Sequence, residues 1–166
     1  MLYILYGRDD FALNQAVDKI KADLGDREMV ATSTTILEGR HLTLNELRNK
    51  CGVAPFLSSY RLVIVDGLLG RFEVKQSRPR SGRRKSTNGP VEWEDLASYI
   101  EEMPETTVLV LVDEEVKGSN PLLKRISPLA EVRTFPLLRG KDLKEWIRQR
   151  VKKEGGDITP QAVDLL

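Results

Sequence analysis

The sequence has one cysteine, Cys51, and one histidine, His41, and each scarcity closes off a class of chemistry. A lone cysteine forms no disulfide within the chain and builds no cysteine metal motif. In the helix-like stretch around it a small buried thiol is the ordinary role, and a cytoplasmic setting is expected. His41 stands in a loop between Arg40 and Leu42, with no placed serine, cysteine or second ligand beside it. Neither a catalytic triad nor a zinc centre is expected from it, and no metal site is assigned. Charge of one sign is not in excess either. The 26 Lys and Arg stand against 25 Asp and Glu, so a formal net charge of +1 gives no global field toward nucleic acid or a membrane surface. Long apolar runs are missing as well: the run from Val108 to Val112 is far short of the ~20 residues a membrane span requires. Met1 opens a strand without a charged leader, so an untargeted chain with no membrane partner is expected.

What is present is an alternation of strand and helix patterns. At 166 residues the chain is long enough for a compact domain that buries about 70% of its unfolded surface. "LYILYG" reads as a strand ending at Gly7. "RDDFALNQAVDKIKADLGD" then sets Phe11, Leu13, Val17, Ile20 and Leu24 at helical spacing, with Asp9 or Asp10 as cap and Gly25 as stop. "TTILEG" is a second short strand. "LTLNELRNKCG" follows as a helix with Leu44, Leu47 and Cys51 on one side, Thr43 at its start and Gly52 at its close. "RLVIVDG" is apolar almost throughout, as in a parallel strand covered on both faces.

Later in the chain, "VEWEDLASYIEEMP" places Trp93, Leu96, Ile100 and Met103 on one helical face, and core packing outweighs base stacking for this tryptophan. "TTVLVLVDEE" is another buried strand, "NPLLKRIS" a short helix with Pro121 in its first turn, and "AEVRTFPLL" a last strand around Val132 to Phe135. This order predicts an open parallel sheet with helices on both faces, an α/β fold. After Gly140 the pattern turns purely helical, with Leu143, Trp146, Ile147 and Val151 as an apolar stripe. "DITPQAVDLL" starts another helix, with Thr159 as cap and Pro160 in the first turn. The chain is expected to stop inside this second, helical domain.

Between Gly70 and Gly89 the composition changes. Six Lys and Arg lie between Lys75 and Lys85, with Pro79, Gly82 and several serines, and almost no apolar residue follows Val74. Such a stretch buries too little surface to offset its ordering entropy, so a mobile basic insertion is expected over about 71–90. Its plain role is a solvated loop. The functional alternative is that Arg78, Arg80, Arg83, Arg84 and Lys85 meet a phosphate backbone, a salt-sensitive and sequence-blind contact.

An apolar strand ending in Asp113 and Glu114 invites a nucleotide-hydrolase reading, in which these acids hold magnesium and activate water. The phosphate loop that reading needs is absent after the first strand. "YGRDDFAL" has one glycine and no Gly-Lys-Ser/Thr, and Asp9 and Asp10 stand where a triphosphate needs backbone donors and a lysine. The Gly140–Lys141 pair lacks both the upstream glycine and the following hydroxyl residue. Asp113 and Glu114 are therefore read as a solvated strand end or helix cap, and no catalytic or cofactor-binding residue is assigned.

The stretch "VAPFLSSYRLVIVDG" remains. Phe56 lies in the turn before a buried strand, between Pro55 and Leu57 and ahead of Ser58 and Ser59. On pattern alone it is either folded back over the edge of the core or held out as an anchor for a partner's pocket.

Four stretches together resemble the N-terminal part of the delta subunit of the bacterial DNA polymerase III clamp loader. They are "LYILYGRDDFAL", "PFLSSYRLVIV", "LASYIEEMPETTVLVLV" and "LLRGKDLKEWIRQRVKKEGGDITPQAVDLL", in that order. The resemblance implies an AAA+-like, P-loop NTPase-type parallel sheet with flanking helices over 1–139, and the start of a small all-helical domain over 140–166. It also implies a degenerate nucleotide site without ATP hydrolysis, so no cofactor. In this family, apolar side chains from a loop before a central strand enter a hydrophobic pocket on the ring-shaped sliding clamp (beta) and hold an interface open for loading onto primed DNA. That loop corresponds to Pro55, Phe56 and Leu57; the family often has Leu-Phe or Phe-Phe where this chain has Pro-Phe-Leu. Implied partners are the clamp, the gamma/tau and delta prime subunits, and primed DNA within the assembly. Two other function classes stand beside this one: a P-loop-type ATPase using Asp113 and Glu114, and a DNA-binding module using the basic insertion.

Overall fold

A computed structural model describes residues 1–73, 93 and 95–165. The chain divides into two compact units, Met1–Phe135 and Pro136–Leu166. In the first, the elements run β1 (Leu2–Gly7), α1 (Asp10–Asp23), α2 (Arg27–Thr32), β2 (Thr34–Glu38), α3 (Leu44–Cys51), β3 (Arg61–Asp66), α4 (Leu96–Glu102), β4 (Thr107–Asp113), α5 (Pro121–Ile126) and β5 (Glu131–Phe135). The strands form one five-stranded sheet in the order β2-β3-β4-β1-β5. Every pairing is parallel, with Ile64 opposite Val110 and Ile4 opposite Leu111 and Val132. This is the α/β fold that the alternation of elements predicts.

Parallel neighbours need crossovers, and crossovers put helices on the faces of the sheet. The central strands β3 and β4 are accordingly apolar at successive positions, and the two-residue period of a strand divides their side chains between two cores. Val63, Val65, Leu109 and Leu111 join Leu47 and Cys51 of α3, Leu96 of α4 and Leu122 and Ile126 of α5. Leu62, Ile64, Val108 and Val110 join Leu13, Val17 and Ile20 of α1 and Val30 of α2. The alternation of sides is therefore written residue by residue into "RLVIVD" and "TVLVLVD".

Local signals set the helix boundaries. The Asp9 carboxylate accepts the Ala12 N–H at 2.9 Å and starts α1. Thr43 and Glu46 close a reciprocal capping box at the start of α3, and the Gly52 N–H ends that helix on the Arg48 carbonyl at 2.8 Å. Asn120 caps α5 through the N–H groups of Leu122 and Leu123, both at 3.1 Å, with Pro121 in the first turn.

Two expectations differ from what is found, and one helix is added to them. Phe11 does not share the buried face of α1: it is 47% exposed, and Leu13, Ala16, Val17 and Ile20 carry that face. The helix containing Leu96 begins at that residue, so Trp93 is buried ahead of it, edge-on to Phe72 at 6.1 Å between ring centroids. A short helix, α2, occupies a stretch to which the sequence pattern assigns no element, capped by Asp26 through the N–H groups of Glu28 and Met29.

The second unit holds α6 (Gly140–Lys153) and α7 (Pro160–Leu165). Lys144 of α6 donates to Asp164 of α7 at 2.6 Å, and this pairing holds the Asp164 carboxyl below its usual range. Leu143, Trp146, Ile147 and Val151 form a half-buried stripe, and Thr159 Oγ1 accepts the Ala162 N–H at 3.3 Å.

Candidate functional site

The segment from Gly52 to Tyr60 leaves α3 and reaches the first residue of β3, so it lies at the amino ends of the strands. Pro55 fixes its own φ and removes a donor from the turn. After it, the Phe56 backbone is tied at both polar groups to one side chain. Its N–H donates to Ser33 Oγ at 3.1 Å, and its carbonyl accepts from the same hydroxyl at 2.7 Å. A longer bond from Thr32 Oγ1, 3.4 Å, reaches the same carbonyl. Ser58 Oγ turns the chain toward β3, accepting the Tyr60 N–H at 3.1 Å and donating to the Tyr60 carbonyl at 2.8 Å.

The side chains of this loop point the other way. Phe56 is 68% exposed and Leu57 67%, and Val53 and Tyr60 are exposed beside them, while Pro55 is half-buried. Of the two readings open to Phe56, folding back over the core edge is the one this exposure removes. Leu57 has a φ of +58°, in the left-handed region that a bulky side chain rarely enters. Such a conformation costs of order 1–3 kcal/mol and persists only where the surroundings enforce it. Leu57, Ser58 and Ser59 also line a cleft of 320 Å³ with Leu24, Met29 and Val30.

The opposite end of the sheet is where open α/β folds hold ligands. Here the carboxyl ends of β2, β3 and β4 border a polar cleft of 700 Å³ lined by Glu38, Asp66, Asp113, Glu114 and Glu115, with Arg40 and Arg71. Its cations are engaged in part: Arg71 donates to the carbonyls of Gly39 and Leu42 at 2.8 and 2.7 Å. Asp113 is not a solvated strand end. It is buried, and its two oxygens accept the N–H groups of Leu69 and Gly70, both at 2.9 Å, which caps the 3₁₀ turn after β3. Burial pushes its carboxyl above the usual range against the pull of those two bonds. Glu114 is exposed. At the turn after β1, Gly7 is required by packing, since a Cβ there would lie 1.9 Å from the Phe135 carbonyl oxygen at a φ of +152°. The N-terminus of α1 that would face a phosphate is capped by Asp9.

The family model for DNA polymerase III, delta subunit, matches residues 3–133. The chain belongs to this family. No curated protein matches it at a significant level. Among solved structures, the DNA clamp loader delta protein of Bacillus subtilis shares the fold, with a TM-score of 0.70 at 22% identity. That match covers 98% of this chain and 46% of the other, so the chain spans about half the length of that relative.

In this delta-family chain the residues singled out from the sequence fall into separate places. Phe56 and Leu57 project together at the amino ends of the strands. Asp113 and Glu114 lie at the carboxyl ends. His41 is exposed, and among the described residues no group of His, Cys, Asp and Glu is arranged to hold a metal ion. Arg78, Arg80, Arg83, Arg84 and Lys85 lie outside the described residues. Among the described residues no helix is long and apolar enough to cross a membrane. What the sequence reading missed is Ser33: the run "TSTT" shows hydroxyls before β2, but nothing local says that one of them reaches a loop 23 residues on.

Proposed function

We propose that this chain is the sliding-clamp-binding part of a clamp-loader delta subunit, and that it opens the ring by binding it, without catalysis of its own. The observation that carries the reading is the Phe56–Leu57 pair: two large apolar side chains exposed on a loop whose backbone is fixed. Burying one phenylalanine contributes roughly 1.5–3 kcal/mol, and interface hot spots are often aromatic. Phe56 is the central anchor, flanked by Leu57 and supported by Pro55. A ligand shifts a two-state equilibrium only by its differential affinity, so the loop favours the open ring by fitting the pocket better when the interface is parted.

The acidic crevice supports a role without nucleotide chemistry. A polyphosphate there would meet five carboxylates against two arginines, and the start of α1 after the first strand is already capped by Asp9. The clamp-binding loop lies at the far end of the strands. Six residues of β3 separate the two ends, roughly 17–20 Å at the rise of a strand. Within the loader the partners are the gamma/tau and delta prime subunits and primed DNA in the cytoplasm, with residues 140–166 beginning a helical domain. A DNA contact through Arg78, Arg80, Arg83, Arg84 and Lys85 would add a salt-dependent, sequence-blind term.

Site-specific crosslinking tests the reading. A photoreactive benzoyl-phenylalanine installed at Phe56 is expected to crosslink to the purified sliding clamp, and the same group at Ile36, exposed on β2, is not. Equal crosslinking from both positions, or from neither, contradicts the proposal.

A further inference from the structure

Ser33 is fully buried, and its backbone is held from two elements. Its N–H donates to the Val30 carbonyl at the end of α2, 3.1 Å, and its carbonyl accepts the Leu62 N–H of β3, 3.0 Å. The side chain is therefore a fixed post at the amino edge of the sheet. A hydroxyl offers one donor and two acceptor lone pairs, so Ser33 Oγ serves the carbonyl and the N–H of Phe56 at once. The bond from Thr32 is weaker because its hydroxyl sits closer to Met29, whose carbonyl it meets at 2.7 Å against 3.4 Å for Phe56. At Phe56 the side chain is 68% exposed, and the next residue is held in a left-handed conformation.

We infer that Ser33 is a positioning residue for clamp binding, which fixes the backbone of Phe56 so that the exposed ring is already ordered before the partner arrives. The inference rests on the clamp-binding reading of Phe56. Without the pin the loop would occupy the presenting conformation only part of the time, and apparent affinity falls by that fraction. No contact between Ser33 and the partner is required, since its side chain is covered by this chain's own residues.

The test uses the whole chain and purified sliding clamp. Wild type, Ser33→Ala, Phe56→Ala and the double variant are titrated with clamp, and amide hydrogen exchange is measured on each protein without clamp. In Ser33→Ala, the Phe56 amide should lose protection while amides of β3 and β4 keep theirs, and clamp affinity should fall about tenfold, the effect of a competent fraction near one tenth. In the Phe56→Ala background the same change should weaken binding by less than about twofold, because residues acting through one contact are not additive. Ser33→Cys, which keeps a weaker donor on a somewhat larger side chain, should fall between Ser and Ala; it stands in if Ser33→Ala does not fold. Wild-type affinity in Ser33→Ala and Ser33→Cys overturns the inference and leaves the clamp-binding reading intact. So does a loss that is the same with and without Phe56, since that marks a structural role only. A wild-type chain with a protected Phe56 amide that fails to bind the clamp overturns the functional reading, and the role inferred for Ser33 falls with it.

Discussion

Asp113 shows how one residue's partners decide between two chemistries. An acid at the end of a central strand suits magnesium in a nucleotide hydrolase, yet both of its oxygens here accept backbone N–H groups, from Leu69 and Gly70. Asn in its place would turn an amide NH₂ toward one of those donors and leave a buried N–H without a partner. Asp113→Asn is therefore expected to destabilise the protein by about 1–3 kcal/mol, read by urea denaturation, without removing any ATP turnover. A variant of unchanged stability that lost an ATPase activity of the wild type would reverse the assignment. The sequence showed the acid but not its partners: Leu69 and Gly70 are more than 40 residues away, and only the adjacency of β3 and β4 joins them. Phe56 was legible as an oddity, while the side chain that fixes it was not, for the same reason.

Elements with a strong local pattern were legible in detail. The face of α3 built from Leu44, Leu47 and Cys51 is buried as its spacing predicts, and Thr43 and Gly52 bound it. Helix α2 was missed because six residues with one buried side chain, Val30, give no period to read. Phe11 was misread because it stands two residues before Leu13, about 200° round the helix from the face that Leu13, Ala16, Val17 and Ile20 share. Packing on α3 and α4 also carries a pH dependence. Burial pushes the Cys51 thiol up to about 11, and burial likewise raises the Tyr99 hydroxyl beside it. Both groups thus hold their protons in the folded state at pH values where the unfolded chain releases them, beginning near ~8.5 for a free cysteine. The Cys51 contribution is complete below that pH and is lost as pH rises toward 11, and that of Tyr99 is lost in the same direction from a higher starting pH. The melting temperature is expected to fall across this range, less steeply in Cys51→Val; equal slopes in the two proteins would contradict the assignment to Cys51. At neutral pH the same thiol should resist alkylation until the protein unfolds.

Across the first unit, one sheet separates two ends with different character. The carboxyl ends of β2, β3 and β4 carry an acidic crevice, and the amino ends of β2 and β3 carry the exposed Phe56–Leu57 pair with the serine that pins it. That the strands run parallel was legible because each apolar run is followed by a helical pattern, while their order in the sheet was not. The separation of the two ends follows from the parallel run, since a loop entering a strand and an acid leaving it must lie a strand length apart. On the proposed reading, the loop that meets the clamp thus stands a strand length from the crevice. The measurement that bears most directly on this is a calorimetric titration of the sliding clamp with the wild-type chain and with Phe56→Ala, whose fold is checked by its circular dichroism. Wild type is predicted to bind, and the substitution to weaken binding about 30-fold or more, the equivalent of a hot spot of ~2 kcal/mol. Equal affinity of the two proteins would contradict the account.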